Sequence, residues 1–90
     1  MIDIAIVGAG PAGYSAAITA RKRDKSVVVI GQNTGWLSRA HSISNYPGLP
    51  DISGADLLAA MRDQAVALGA QTRPGVVHQI VSMGSSFALS

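Results

Sequence analysis

Six residues near the start of the chain, Gly8-Ala9-Gly10-Pro11-Ala12-Gly13, have the spacing G-x-G-x-x-G, and the chemistry open to them is anion binding by bare backbone. Gly8 permits a tight turn, Gly10 puts no side chain in the path of a diphosphate, and Gly13 lets a following helix pack close to the preceding strand. The N–H groups and the positive end of the helix dipole supply the attraction, so no cationic side chain is needed. Context decides whether the pattern means this, since a strand must lead in and a helix must lead out. The bland alternative is a glycine turn that holds nothing.

The surrounding residues supply that context. Residues 2–7 form an apolar, largely β-branched run interrupted only by Asp3, as expected of a buried strand in a parallel sheet. Residues 11–23 suit a helix, with Pro11 in the first turn, where its missing N–H has no partner to lose. That helix is rich in small residues (Ala12, Gly13, Ala16, Ala17, Ala20), which permits close approach to a sheet. Residues 26–30 make a second β-branched run. Strand, helix and strand in this order predict a βαβ unit with parallel, adjacent strands. Arg21, Lys22, Arg23 and Lys25 fall at the helix end, where cations offset the dipole.

Residues 31–52 show neither periodicity and read as a long ordered loop, a length that in compact domains is usually functional. A second helix is expected over 54–68, with Ser53 and Asp56 in capping-box-like spacing and Leu57, Leu58, Met61, Ala65 and Leu68 as its apolar face. Gly69 stands where a C-terminal cap belongs. Short strands are expected over 71–73, 76–83 and 87–89. The fold class is therefore α/β, a three-layer Rossmann-like βαβ unit with a parallel sheet and the start of a β-meander. Because the last strand stops without a turn, residues 1–90 read as the N-terminal part of one incomplete domain.

Several classes of function are set aside by composition. Seven Lys and Arg against five Asp leave a net charge of only +2, too small an imbalance for a nucleic-acid partner. With no cysteine, this stretch holds no disulfide, thiolate metal site or redox dithiol. No run approaches the roughly 20 apolar residues of a membrane span, and no basic leader precedes the first strand, so a cytoplasmic protein is expected. Arg39 and His41 in the loop, and His78 in an expected strand, stand in no Ser/His/Asp or metal-ligand spacing. They read as structural or exposed, and neither a catalytic residue nor a metal ligand is expected.

One position departs from the dinucleotide pattern. An acidic residue ordinarily ends the second strand and binds the adenosine ribose, but here stand Gly31, Gln32 and Asn33. The ribose is then left to an amide side chain or to backbone, with Gly31 and Gln32 as the candidate contacts.

Three stretches, residues 3–17, Gly35-Trp36-Leu37 and Ile43-Ser44-Asn45-Tyr46-Pro47-Gly48-Leu49-Pro50, resemble the thioredoxin reductase-like branch of the pyridine nucleotide-disulfide oxidoreductases. The second helix continues the resemblance, which covers nearly the whole chain. It implies FAD as cofactor, with Gly35, Trp36 and Leu37 along the flavin, Asn45 near the isoalloxazine, and Val77 touching adenine through its backbone. From the residues alone, Asn45 equally suits a loop role, bonding its own backbone before Tyr46-Pro47.

Two departures stand out. Gly31 replaces the family's Glu, and Trp36 stands where Gln is usual. An aromatic stack by Trp36 on the flavin is worth roughly 0.5–1.5 kcal/mol beyond burial; filling space under the loop is its other reading. The resemblance further implies an enzyme that passes electrons to a disulfide, with NADP and the reactive Cys pair in a separate domain outside this chain. It also implies a thioredoxin-like protein or ferredoxin as partner and a homodimer. Residues 1–90 by themselves are expected to be inactive. The alternatives are a ferredoxin-NADP reductase-like flavoprotein, a ferredoxin-linked flavoprotein without NADPH use, and a non-catalytic nucleotide-binding module, the last favoured by Gly31.

Overall fold

The computed structural model describes residues 2–32, 47–48 and 51–90. Strand β1 (Ile4–Val7) and strand β2 (Val27–Gly31) run parallel, with Ile4 opposite Val27 and Val7 opposite Ile30. A third strand, β3 (Gln71–Pro74), lies parallel on the other side of β2, giving the order β1-β2-β3. Helix α1 (Pro11–Lys22) makes the crossover between β1 and β2, and helix α2 (Gly54–Ala67) precedes β3. The α/β class and the βαβ unit are as the sequence predicts. β2 extends one residue further than expected, so Gly31 belongs to the sheet and not to the loop after it.

At its entrance the sheet is tied by Asp3. The Ser26 N–H donates to Asp3 Oδ2 at 2.9 Å, the Ser26 hydroxyl donates to the same oxygen at 3.1 Å, and the Asp3 N–H donates to Ser26 Oγ at 2.7 Å. These bonds, the backbone one first, hold the Asp3 carboxyl below its ordinary value of 3.8. A depressed folded-state value means that the tie stabilises the fold above the unfolded value and is lost as pH falls through the folded one. Thermal melts between pH 7 and 2.5 should therefore show a constant advantage of the native protein over Asp3→Asn near neutrality, shrinking below about pH 4. A gap independent of pH would refute the tie.

Both helices end on the same device. After α1, the Asp24 N–H donates to the Arg21 carbonyl and the Lys25 N–H to the Ala20 carbonyl, with Asp24 at φ +60°. After α2, the Gly69 N–H donates to Val66 and the Ala70 N–H to Ala65, with Gly69 at φ +103°. These are paired Schellman bonds that satisfy terminal carbonyls. Arg21 then joins the two ends, because its Nε donates to the Leu68 carbonyl at 2.8 Å and its Nη1 to the Lys25 carbonyl at 2.9 Å. The start of α2 is capped as expected, with Ser53 Oγ accepting from the Asp56 N–H at 3.1 Å.

The core lies between the helices and one face of the sheet. Tyr14, Ala17, Ala20, Val27, Val29, Leu57, Leu58, Ala65 and Ala70 form one buried cluster, with Ile6 and Met61 packed against it. The alanines let α1 approach closely, since a side chain of one carbon leaves little to separate helix from sheet. Leu68, expected in the apolar face of α2, is instead 36% exposed at the C-cap. It stands past the last helical turn, where the chain has already left the helical face.

On the opposite face Val28 is buried, while Ala5 and Val7 border a cavity of about 620 Å³ that Ile80, Phe87 and Leu89 also line. The strand expected over 76–83 shrinks to β4 (Ile80–Ser82), which pairs antiparallel with β5 (Phe87–Leu89). The start of a meander is thus present, but shorter. Gly75 at φ +147° turns the chain after Pro74. Gln79 and Ser90 exchange N–H to carbonyl bonds, both 3.0 Å, which carries the antiparallel pairing one residue pair beyond Ile80 and Leu89, and the His78 N–H donates to the same Ser90 carbonyl.

Candidate dinucleotide-binding site

β1 delivers the chain to Gly8, whose N–H donates to the Ile30 carbonyl at 2.8 Å and whose φ is +125°. This is the last ladder bond, and the left-handed turn that follows favours glycine. Gly10 is the N-cap of α1, with extended backbone at φ −102° and ψ −171° and no capping side chain. Pro11 follows in the first turn, which contains no acidic residue. The Tyr14 N–H closes that turn on the Gly10 carbonyl at 3.1 Å. The earlier N–H groups of Ala12 and Gly13 receive no side-chain acceptor from the N-cap, and such groups at the positive end of a helix suit an anion.

The glycines differ in what they permit. Among the described residues a Cβ on Gly10 would meet nothing within 4 Å, which leaves room beside it for a ligand. A Cβ on Gly13 would land on the Gly8 carbonyl oxygen and lie 3.3 Å from Ile6 Cγ2, so here the missing carbon is what lets α1 sit on β1. The two positions thus divide the work between ligand access and helix packing, as a diphosphate cradle requires. The residues present fit such a group.

Beside the loop, at the C-terminal ends of β2 and β3, lies a cleft of about 340 Å³ lined by Ala9, Tyr14, Gly31, Gln32, Arg62 and Arg73, among others. Ligands of open α/β sheets bind at that end of the strands. Tyr14 is 3% exposed, and burial pushes its hydroxyl above the ordinary value while the nearby Arg62 charge opposes the rise. Among the described residues no group of three His, Cys, Asp or Glu could hold a metal.

Of the residues singled out in the sequence, the structure brings together Gly8, Ala9, Gly10, Pro11, Ala12 and Gly13 at the mouth of α1, with Gly31 and Gln32 next to them. Val77 lies just past β3, partly buried and outside any strand. Gly35, Trp36, Leu37 and Asn45, with Arg39 and His41, lie outside the described residues. Tyr14, Arg62, Thr72 and Arg73 were not legible as cleft residues. Arg62 and Arg73 reach it from α2 and β3, and no local spacing joins either to the glycine loop.

Strand, glycine turn, helix and parallel strand, open at the strand ends, define a dinucleotide-binding unit of Rossmann type. The family described as pyridine nucleotide-disulphide oxidoreductase matches residues 2–77, and the chain belongs to it. A thioredoxin reductase of Borreliella burgdorferi is 40% identical over 90 residues, covering 97% of this chain and 28% of that protein. The structure of a thioredoxin reductase from Gloeobacter violaceus superposes with a TM-score of 0.93 at 36% identity, covering 99% of this chain and 29% of the other. A ferredoxin-flavin thioredoxin reductase from Clostridium acetobutylicum superposes with a TM-score of 0.86 at 40% identity, covering 99% and 32%. The chain spans between a quarter and a third of the length of these relatives.

Proposed function

We propose that residues 1–90 act as the N-terminal part of an FAD-binding domain in a flavoprotein oxidoreductase of thioredoxin reductase type, which carries electrons from an external donor to a disulfide. The observation that supports this most is the open space beside Gly10, at a helix start with no capping side chain. FAD supplies the electron-accepting chemistry when bound, and this chain's part is to bind and orient it. Backbone amides at residues 12 and 13 hold the diphosphate, Gly31 and Gln32 border the adenosine, and Val77 contacts adenine through its backbone. Gly35, Trp36, Leu37 and Asn45 take the flavin end. A thioredoxin-like protein is the partner that accepts the electrons, and the working unit is a cytoplasmic homodimer. Among the described residues no helix is long and apolar enough to cross a membrane.

A second reading concerns the donor. Trp36 stands where the family usually has Gln, and the 40% identity to a ferredoxin-flavin thioredoxin reductase equals that to the Borreliella burgdorferi enzyme. An aromatic plane beside the flavin takes up room that a nicotinamide needs, which favours ferredoxin over NADPH. The test is stopped-flow flavin bleaching on the complete protein that contains this chain. Reduction by reduced ferredoxin and not by NADPH supports the second reading, and rapid bleaching by NADPH defeats it. A colourless protein that takes up no FAD defeats the whole assignment.

A further inference from the structure

At the end of β2 the fold leaves no room for a side chain. A Cβ on Gly31 would lie 2.6 Å from the Ala9 nitrogen and 2.9 Å from Ala9 Cβ, so an acid placed there would push on the glycine loop. A contact to the adenosine ribose must then come from a group that already borders the cleft.

Tyr14 is such a group, and the fold holds it in place. Of the other polar side chains described in the lining, Gln32, Thr72 and Arg73 are exposed and Arg62 is half-buried, whereas Tyr14 is 3% exposed and belongs to the core cluster. A side chain fixed beforehand gives up little further freedom when a ligand binds it. Its N–H on the Gly10 carbonyl ties it to the same first turn that carries the amides of residues 12 and 13.

The Tyr14 hydroxyl is also uncommitted. Among the described residues no group forms a hydrogen bond with it. Among the same residues no fully buried side-chain oxygen or nitrogen is left without a partner. The hydroxyl therefore keeps contact with open space, and the cleft is open space that Tyr14 borders. Beyond the effect of burial, the charge of Arg62 acts on this hydroxyl, and Arg62 is another part of the lining, which sets the oxygen on the cleft side of the ring.

We infer that the Tyr14 hydroxyl bonds the adenosine ribose of the bound dinucleotide, taking the place of the acid that Gly31 excludes. The inference rests on the reading of residues 8–13 as the diphosphate site. A carboxylate can only accept from a ribose hydroxyl, whereas a phenol both donates and accepts. It thus suits a free ribose hydroxyl, itself donor and acceptor, such as FAD carries, and the otherwise buried phenol gains a partner when the cofactor binds.

The test titrates ADP, 2′-deoxy-ADP and 3′-deoxy-ADP calorimetrically into the complete protein stripped of flavin, native and Tyr14→Phe. In the native protein ADP should bind about two- to tenfold more tightly than the analogue that lacks the bonded hydroxyl, the net worth of one hydrogen bond. In Tyr14→Phe that gap should fall close to one, because ADP loses affinity and the analogue does not. The flavin-free variant should melt with the native protein, since among the described residues the hydroxyl holds nothing. A gap that persists in the folded variant overturns the inference. So does a variant that melts well below the native protein or does not fold, because the hydroxyl would then be serving the fold. If ADP binds the native protein and all three nucleotides bind equally, the inference alone fails; if ADP does not bind, the diphosphate site fails and takes the inference with it.

Discussion

Gly13→Ala should lower the melting temperature of the protein, although glycine to alanine inside a helix ordinarily raises stability by about 1 kcal/mol. The sign reverses because the added carbon has no room. It would fall on the Gly8 carbonyl oxygen, a backbone atom, with Ile6 Cγ2 at 3.3 Å on the other side. Neither neighbour is the free end of a flexible chain that could swing aside, so α1 must lift off β1 or the Gly8 turn must open. Overpacking of this kind costs about 1–3 kcal/mol. At roughly 4–8 °C per kcal/mol in a domain of this size, the expected fall is on the order of 5–20 °C. Ala16, exposed on the same helix, gives the contrast: Ala16→Gly should cost about 1 kcal/mol, the plain propensity loss. Melts followed by circular dichroism decide between them. A Gly13→Ala protein as stable as the native one would mean that helix and strand are not in the tight contact described.

This dependence of α1 on a missing carbon explains why so much of the fold was legible in the sequence. The G-x-G-x-x-G run, the β-branched stretches on either side and Pro11 all act over a few neighbouring residues, and each leads to one local conformation. Helix α2 was readable for the same reason, from Ser53 at one end to Gly69 at the other. What local pattern cannot show is where a long side chain goes after the chain has folded back. Arg21 read as a cation at a helix end, whereas its guanidinium bridges to the carbonyl of Leu68, a residue 47 positions away. Gly31 read as the loss of an acid; only the approach of Ala9 shows that a side chain could not stand there. The strand expected over 76–83 failed in its first half because apolar alternation says nothing about partners. Among the described residues no strand pairs with Val76 and Val77, and β4 begins where Phe87–Leu89 pairs with it.

The candidate site divides along the same line. The part proposed for a diphosphate is backbone chemistry, written in glycines, and could be named from the sequence. The adjoining cleft is assembled from β2, α2 and β3, elements that meet only in the folded chain, and Arg62 and Arg73 carry no motif that announces them. The part proposed for the flavin follows from family resemblance through Gly35, Trp36, Leu37 and Asn45, which makes it a proposal of a different kind from the other two.

Gly10 separates ligand binding from folding more cleanly than any other position. Its backbone is extended, a conformation open to every residue, and among the described residues a Cβ there touches nothing within 4 Å. Gly10→Leu should therefore cost the fold only the difference in capping preference, about 1 kcal/mol, while filling the space in which a diphosphate would lie against the amides of residues 12 and 13. The decisive measurement is the flavin-to-protein ratio of the purified complete protein, native against Gly10→Leu, read from the visible spectrum beside a thermal melt. The account predicts a folded variant with its FAD content reduced at least tenfold, the scale expected from losing two charge-assisted backbone contacts. A folded Gly10→Leu protein carrying its full complement of FAD would contradict it.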